Sequence, residues 1–364
     1  MSLSLFAKER FVGIDIGHSA IKFAQVEVTG SKLRIVGFGI CPTPPGCVGD
    51  GVVTDVGAVG SAIRHGMREC GIHATTANLA VSGAPVVVRT VKMPSMPAAT
   101  LKKSIRFEAG RYVPSSVEDS YIECEVLGEA EEGQMDVLVV ASPRDLVESR
   151  VAAAEAAGLD VEIVDTESFA LFRTLVELDS AFNGWDKAIA IVDLGDDQTK
   201  VSVVDHGRFA LTRCIPIGGR SLTQALTNYF KLSEVEAEQG KHALDLRPLC
   251  FEEPMENPPL RVIQPMVDEL LREVRRSLNY FQSQQSDKKQ ASAVSLIYLC
   301  GGGSQMAGAK EYFAHKLGVA VEIPNLFENP TFQYGGTTPQ DAWTSLAIAV
   351  GLAVRRPSGV LVAA

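Results

Sequence analysis

The sequence predicts an α/β protein assembled from two similar halves, and three observations carry that reading. Strand-like alternation and helix-like spacing of apolar residues follow one another along the whole chain, with no separate all-β and all-α parts. A short pattern, D-[IL]-G-x-x-x-x-K, occurs twice: Asp15-Ile16-Gly17-His18-Ser19-Ala20-Ile21-Lys22 and Asp193-Leu194-Gly195-Asp196-Asp197-Gln198-Thr199-Lys200. Each copy joins an apolar run to an alternating one, as the bend of a hairpin does. Asp and Gly favour turns anywhere, so one copy means little. Two copies in equivalent places predict a duplication.

Residues 11–15, 21–28 and 33–38 read as a β-meander, with 16–20 as its first bend. Val56, Val59, Ile63, Met67 and Cys70 fall at helical spacing, and Gly71 ends that helix. Strands are expected at 78–82 and 86–93, then a helix at 101–112 stopped before Pro114. Two more strands, 121–127 and 135–141, flank an acidic turn, followed by an Ala-rich helix at 145–157 closed by Gly158 and a strand at 161–164.

In the second half, strands 188–194 and 200–204 bracket the second bend. Gly218-Gly219 opens a helix through Phe230, and Ser233-Glu234-Val235-Glu236 is a capping box that starts another. The proline-rich interval 248–265 reads as a loop and 266–285 as a long helix, with a polar stretch at 286–290. A buried-type strand at 296–300 runs into Gly301-Gly302-Gly303 and a helix to Leu317. The chain closes on an apolar helix at 342–354, with Arg355 and Arg356 suited to its C-terminal dipole.

The 364 residues leave room for two or three domains, and 46% hydrophobic with 21% charged residues excludes a mainly disordered chain. A formal net charge of −10 argues against a general grip on nucleic acid or anionic lipid. The seven cysteines are scattered without C-x-x-C, so buried thiols of a reducing compartment are expected rather than disulfides or a metal site. The six histidines show neither H-x-x-x-H nor H-E-x-x-H. Residues 1–10 have too short an apolar core for a signal peptide, and no stretch nears the roughly 18 apolar residues of a membrane span. The expectation is a cytoplasmic protein without direct membrane insertion, reaching a membrane only through a partner.

A strand ending in Asp, then Gly and small residues, can place a row of backbone amides around a phosphate. Asp15 and Asp193, facing one another across the halves, would hold a hydrated Mg²⁺. Lys22 would add a point charge to the phosphates, whereas its duplicate Lys200 is expected to turn to solvent. The bland alternative is a pair of plain hairpins whose aspartates cap turns. Gly301-Gly302-Gly303-Ser304 offers a further close backbone approach. It also invites a dinucleotide-binding reading with Glu322 on the ribose, but Met306 stands where the third glycine belongs. No G-x-x-x-x-G-K-[ST] occurs.

In order and separation these motifs resemble the actin-like ATPase superfamily, which includes actin, sugar kinases, heat-shock chaperones and the division protein FtsA. The resemblance implies an actin-like (ribonuclease H-like) fold of duplicated α/β domains with a small inserted subdomain, and ATP with Mg²⁺ as cofactors. It implies a first phosphate loop of Asp15, Gly17, His18, Ser19, Ala20 and Lys22, and a second of Asp193, Gly195, Asp197, Gln198 and Thr199, with Gly218 and Gly219 beside it. Gly301, Gly302, Gly303 and Ser304 would line the adenosine, and Glu238 with Lys241 would bracket ribose and adenine, though such a pair also suits an ordinary helix face. Asp15 and Asp193 are the metal candidates, and Glu167 falls where chaperones carry a carboxylate near the attacking water. His18 departs from the small hydroxyl residue usual at its position.

Lys92-Met93-Pro94, the run from Ile105-Arg106-Phe107-Glu108-Ala109 to Val113-Pro114, Tyr121-Ile122-Glu123-Cys124-Glu125-Val126-Leu127-Gly128 and Ile215-Pro216-Ile217-Gly218-Gly219 narrow the match. Over about residues 11–355 they resemble the PilM family of type IV pilus assembly. That resemblance implies a scaffold that captures the N-terminal cytoplasmic peptide of the inner-membrane protein PilN in a groove between the first domain and the inserted subdomain. Other inner-membrane pilus components and a homo-oligomer are further expected partners, with a location peripheral to the inner membrane. The expected domains are 1–83 with 159–186, an insertion at 84–158, a second domain of 187–246 with 292–340, a small subdomain at 247–291, and a returning helix at 341–364. An FtsA-like filament former and a sugar kinase on the same fold are the alternatives. ATP hydrolysis stays open between incidental slow turnover and an active cycle.

Overall fold

Repetition governs the architecture. In a computed structural model, which describes residues 11–29, 32–113, 116–130, 133–179, 182, 184–251, 256–284, 293–336 and 343–356, each half builds a sheet of one design. Expectations placed on residues 1–10, Pro114, 286–290, Ala342 and 357–364 fall outside the described residues. The chain divides into two units, Met1–Val81 with Leu146–Ala181 and Leu326–Ala364, and Ser82–Asp145 with Phe182–Asn325.

In the first unit, strands Phe11–Ile16, Ala20–Thr29 and Lys32–Pro42 form an antiparallel meander. Strand Thr76–Val81 joins it parallel to Phe11–Ile16, and Asp160–Thr166 adds parallel to that. A short strand, Phe332–Tyr334, pairs parallel with Lys32–Pro42 at the other edge. Phe11–Ile16 is buried along its whole length, as a central strand covered on both faces must be. Helix Val56–Glu69 lays Val59, Ile63 and Met67 on the sheet, and the Asp55 side chain caps its start.

Helix Trp343–Ala353 packs against the sheet with almost every residue buried, which explains its all-round apolar composition. Gly13 permits that close approach, since a Cβ there would lie 1.9 Å from the Ala349 carbonyl oxygen. The buried Asn78 side chain donates to Leu352 O (2.8 Å) and Arg355 O (3.0 Å), tying strand Thr76–Val81 to the end of that helix and the residues just after it. Arg356 Nη1 donates to Ala353 O at 2.8 Å, the role expected of a basic residue there.

In the second unit, strands Ala188–Leu194, Thr199–Asp205 and Arg208–Ile215 repeat the meander. Val294–Cys300 and Ala320–Glu322 repeat the two parallel additions. A separate three-stranded sheet orders Val87–Pro94, Gln134–Pro143 and Ser120–Glu129, with helix Ala98–Ala109 burying Leu101, Ile105 and Ala109 against Met93, Met135, Val137 and Val139.

One expectation fails in part. The interval 248–265 is not all loop, because helix Pro258–Ser283 begins within it, capped by Asn257. Pro258 and Pro259 occupy its first turn, where a missing amide costs nothing, and Pro265 sits inside the helix. All seven cysteines are free thiols, with Cys47 and Cys300 buried.

Candidate functional site

The two carboxylate hairpins are built alike. Asp15 and Lys22 stand opposite one another in the first ladder, and Asp193 and Lys200 do so in the second. Each pair closes as a salt bridge, 3.0 Å for Lys22–Asp15 and 2.9 Å for Lys200–Asp193. Lys200 is therefore buried against its carboxylate and does not turn to solvent as expected. The reason is local: Thr199–Asp205 is a central strand buried from Thr199 through Val204, so a cation on it must find an anion.

In the first bend, Gly17 N donates to Ala20 O at 3.0 Å. Gly17's amide is thus spent inside the turn, and what it offers a ligand is the missing side chain: a Cβ would lie 2.8 Å from Ala20 O and from Lys22 Nζ. Thr43 Oγ1 donates to Gly17 O at 2.8 Å and Thr43 N to Ser19 O at 3.0 Å, tying the bend to the third strand of the meander. His18 is half-buried in the bend and Ser19 exposed. Glu167 is buried in the first turn of helix Glu167–Phe172, which Thr166 caps.

The second bend is braced by helix Gly219–Phe230. Gly195 N donates to Gln198 O (3.1 Å), Gly219 N to Gly195 O (3.0 Å) and Arg220 N to Asp196 O (2.8 Å). Thr199 Oγ1 donates to Ile217 O at 2.7 Å. Gln198 accepts from Cys214 Sγ at 2.7 Å, which fixes its amide, and Asp197 lies half-buried in the same bend.

Lys241 Nζ donates to both oxygens of Glu238 at 2.7 Å and to Gly219 O at 3.3 Å, which gathers Gly218, Gly219, Glu238 and Lys241 beside the bend. Thr223 also donates to Glu238. Burial pushes the Glu238 carboxyl up, yet hydrogen bonds from Lys241 and Thr223, with the charges of Lys241 and His242, hold it below the usual glutamate value.

Gly301, Gly302, Gly303 and Ser304 complete this group. Gly301 has φ +81°, and a Cβ on it would sit 2.3 Å from Asp193 Oδ1 and 2.6 Å from Leu194 O, so only glycine fits. The segment Gly302–Gln305 is a 3₁₀ turn ahead of helix Ala309–Leu317, and Ser304 Oγ donates to Gly301 O at 2.7 Å. Among the described residues no group of three or more His, Cys, Asp or Glu comes together as a metal cage.

Sequence reasoning missed Arg150. The residue lies on helix Arg144–Ala156 within the buried stripe Leu146, Arg150, Ala153 and Ala154, and is 2% exposed. An arginine in register with an apolar stripe was the available signal. Burial lowers the pKa of its guanidinium, and the neighbouring carboxylates of Glu167 and Asp15 raise it. Asp15 is thus paired with Lys22, and it and Glu167 lie within electrostatic reach of the Arg150 guanidinium.

Comparison with known proteins agrees with the repeated design. A solved structure described as a PilM–PilN type IV pilus biogenesis complex is similar at TM-score 0.83 and 26% identity, covering 95% of this chain and 98% of that one. The ethanolamine utilization protein EutJ from Carboxydothermus hydrogenoformans (TM-score 0.57, 17% identity, 94% of this chain and 88% of that one) shares the fold. MreB5 of Spiroplasma citri bound to AMPPNP shares it too, at TM-score 0.51 and 11% identity over 94% of this chain and 95% of that one. Cell division protein FtsA of Streptococcus pneumoniae is 22% identical over 89% of this chain and 78% of its own length. The fold is the actin-like one. The family model for type IV pilus assembly protein PilM matches residues 13–357, and the chain belongs to that family.

Proposed function

We propose that this chain is an ATP-binding scaffold of type IV pilus assembly that captures the N-terminal cytoplasmic tail of PilN. The observation that carries the nucleotide part is the duplicated Asp–Lys hairpin, each copy with a glycine whose side chain would be obstructed. Asp15, Gly17, His18, Ser19, Ala20 and Lys22 make one phosphate loop of this reading, and Asp193, Gly195, Asp197, Gln198 and Thr199 make the other. Gly218, Gly219, Glu238, Lys241 and Gly301–Ser304 would take the nucleoside, because that cluster offers close backbone approach beside a paired carboxylate and ammonium.

The donor set fits a metal that arrives with its nucleotide. Asp15 and Asp193 already hold lysines, so Mg²⁺ would keep mostly water and phosphate oxygens, as is usual for that ion. Bound there, Mg²⁺ would neutralise phosphate charge. Glu167 is the residue proposed to orient a water, and Glu167→Gln, which should lose phosphate release but keep ATP, separates an active ATPase from a scaffold clamped by ATP.

Support for the partner comes from the PilM–PilN structure to which this chain is similar. The edge strand Ser120–Glu129 of the three-stranded sheet leaves Tyr121, Val126 and Leu127 exposed, a surface suited to an extended peptide. Among the described residues no helix is long and apolar enough to cross a membrane, so a tether of this kind would supply the attachment to the inner membrane. The test is calorimetric titration of the full chain with a synthetic peptide of the PilN tail, with and without Mg-ATP. Saturable one-to-one binding is expected; no heat in either condition would remove the PilN assignment.

A further inference from the structure

We propose that Arg150 is the positioning residue of the first carboxylate hairpin, locking the Ile16–Gly17 peptide in the orientation a phosphate-binding turn needs. The inference rests on the nucleotide reading above and deepens it. Arg150 Nη1 donates to Ile16 O at 2.9 Å and to Ala80 O at 3.1 Å, and Nε donates to Gly51 O at 3.0 Å. One guanidinium therefore ties the ends of two adjacent parallel strands, Phe11–Ile16 and Thr76–Val81, to the segment around Gly51.

The bond to Ile16 O matters most. That oxygen and Gly17 N belong to the same planar peptide, and Gly17 N is itself bonded to Ala20 O at 3.0 Å. The plane is held at both ends, so it cannot rotate without breaking two hydrogen bonds. It follows Asp15 by one residue, which makes the guanidinium the anchor from which the bend and its Asp15–Lys22 pair are aimed.

A mere fastening of helix to sheet does not require this residue. Burying a guanidinium is costly unless it is paired and fully hydrogen-bonded, and apolar contacts would join the two surfaces at less expense. The fork geometry, reaching three carbonyls at once, is what apolar side chains and lysine lack.

The second copy shows the alternative. There the equivalent carbonyl, Leu194 O, faces the backbone of Gly301, where a Cβ would come within 2.6 Å. One copy of the duplicated bend is braced by a side chain and the other by close main-chain packing. Glu167 and Asp15 lie within electrostatic reach of Arg150, and their charges favour its charged form against the cost of burial.

The test compares wild-type full chain with Arg150→Lys and Arg150→Gln, reading the Kd for a fluorescent ATP analogue with Mg²⁺ and amide hydrogen exchange across both bends. Both variants should weaken the analogue, Gln by about tenfold or more, with Lys recovering part of the loss because it keeps the charge without the fork. Exchange should quicken over residues 16–20 and stay at the wild-type rate over 195–199. Unchanged affinity in both variants overturns the assignment, as does an equal quickening of both bends, which would mark general loosening.

If neither variant folds, the wild-type protein decides. Mg-ATP must then slow exchange over residues 16–20 and over 147–153 together; protection of the bend without the helix refutes the tie. A wild-type chain that binds no ATP overturns the nucleotide reading and this inference with it. Normal wild-type binding with unaffected variants refutes Arg150 alone.

Discussion

Gly13→Ala tests the packing that holds the first unit together. A Cβ at this position would lie 1.9 Å from Ala349 O, 2.5 Å from Ala353 N and 2.9 Å from Leu352 Cβ, all on helix Trp343–Ala353. Two of these are backbone atoms, which no rotamer change can move aside. To reach ordinary contact at 3.4 Å from the nearest, the helix must withdraw by about 1.5 Å. Withdrawal loosens Ala349, Val350 and Ala353 from Ala24, Val26 and Leu33, and strains the bonds from Asn78 to Leu352 O and Arg355 O.

Overpacking costs about 1–3 kcal/mol and partial loss of core contact adds to it, so a loss of about 2–4 kcal/mol is expected. Urea unfolding followed by far-ultraviolet circular dichroism reads this, with Gly49→Ala as control. Gly49 lies in the same unit, and a Cβ on it meets nothing within 4 Å. Comparing two variants within one unit avoids assuming that the whole chain unfolds in one step. A midpoint for Gly13→Ala no lower than that of the control would refute the close-packing account.

Three further outcomes are expected. Lys200→Met strands the buried Asp193 carboxylate and should cost about 3–5 kcal/mol, most of it regained in a double variant with Asp193→Asn; a single variant as stable as wild type would show the pair to be idle. Glu238 has a folded pKa below its unfolded value, so its contribution to stability is complete above about pH 4.5 and lost as pH falls through the folded value. Glu238→Gln should therefore flatten the acid limb of a melting-temperature profile, and an unchanged limb would count against the contacts from Lys241 and Thr223. Gly240→Ala, on the exposed face of helix Glu234–His242 with no atom within 4 Å, should raise stability by about 0.5–1 kcal/mol in urea titration, whereas a loss would mean that the position is not an open helix face.

What could be read from the sequence was whatever depends on neighbours along the chain. The two hairpins were legible because their ladders put Asp opposite Lys in both copies, and a seven-residue spacing across a tight bend records that register directly. The capping box at Ser233 and Glu236 formed as written, since both of its bonds lie within one turn. Proline misled at 258–265: its local signal is a break, but the first turn of a helix needs no amides there, and whether a helix continues past Pro265 depends on burying Ile263, Val267, Leu270 and Leu271.

By itself, then, the order of residues determined the α/β class, the duplication, the family and the bends that carry the carboxylates. Only the tertiary structure decided where the charges ended. Lys200 looked like a surface lysine until a central strand enclosed it, and Arg150 looked like one polar residue in an alanine-rich helix until three carbonyls from distant segments met its guanidinium. The physical reason is common to both. The cost of a charge depends on solvent exclusion and on partners remote in sequence, and neither exists before the sheets and helices have packed.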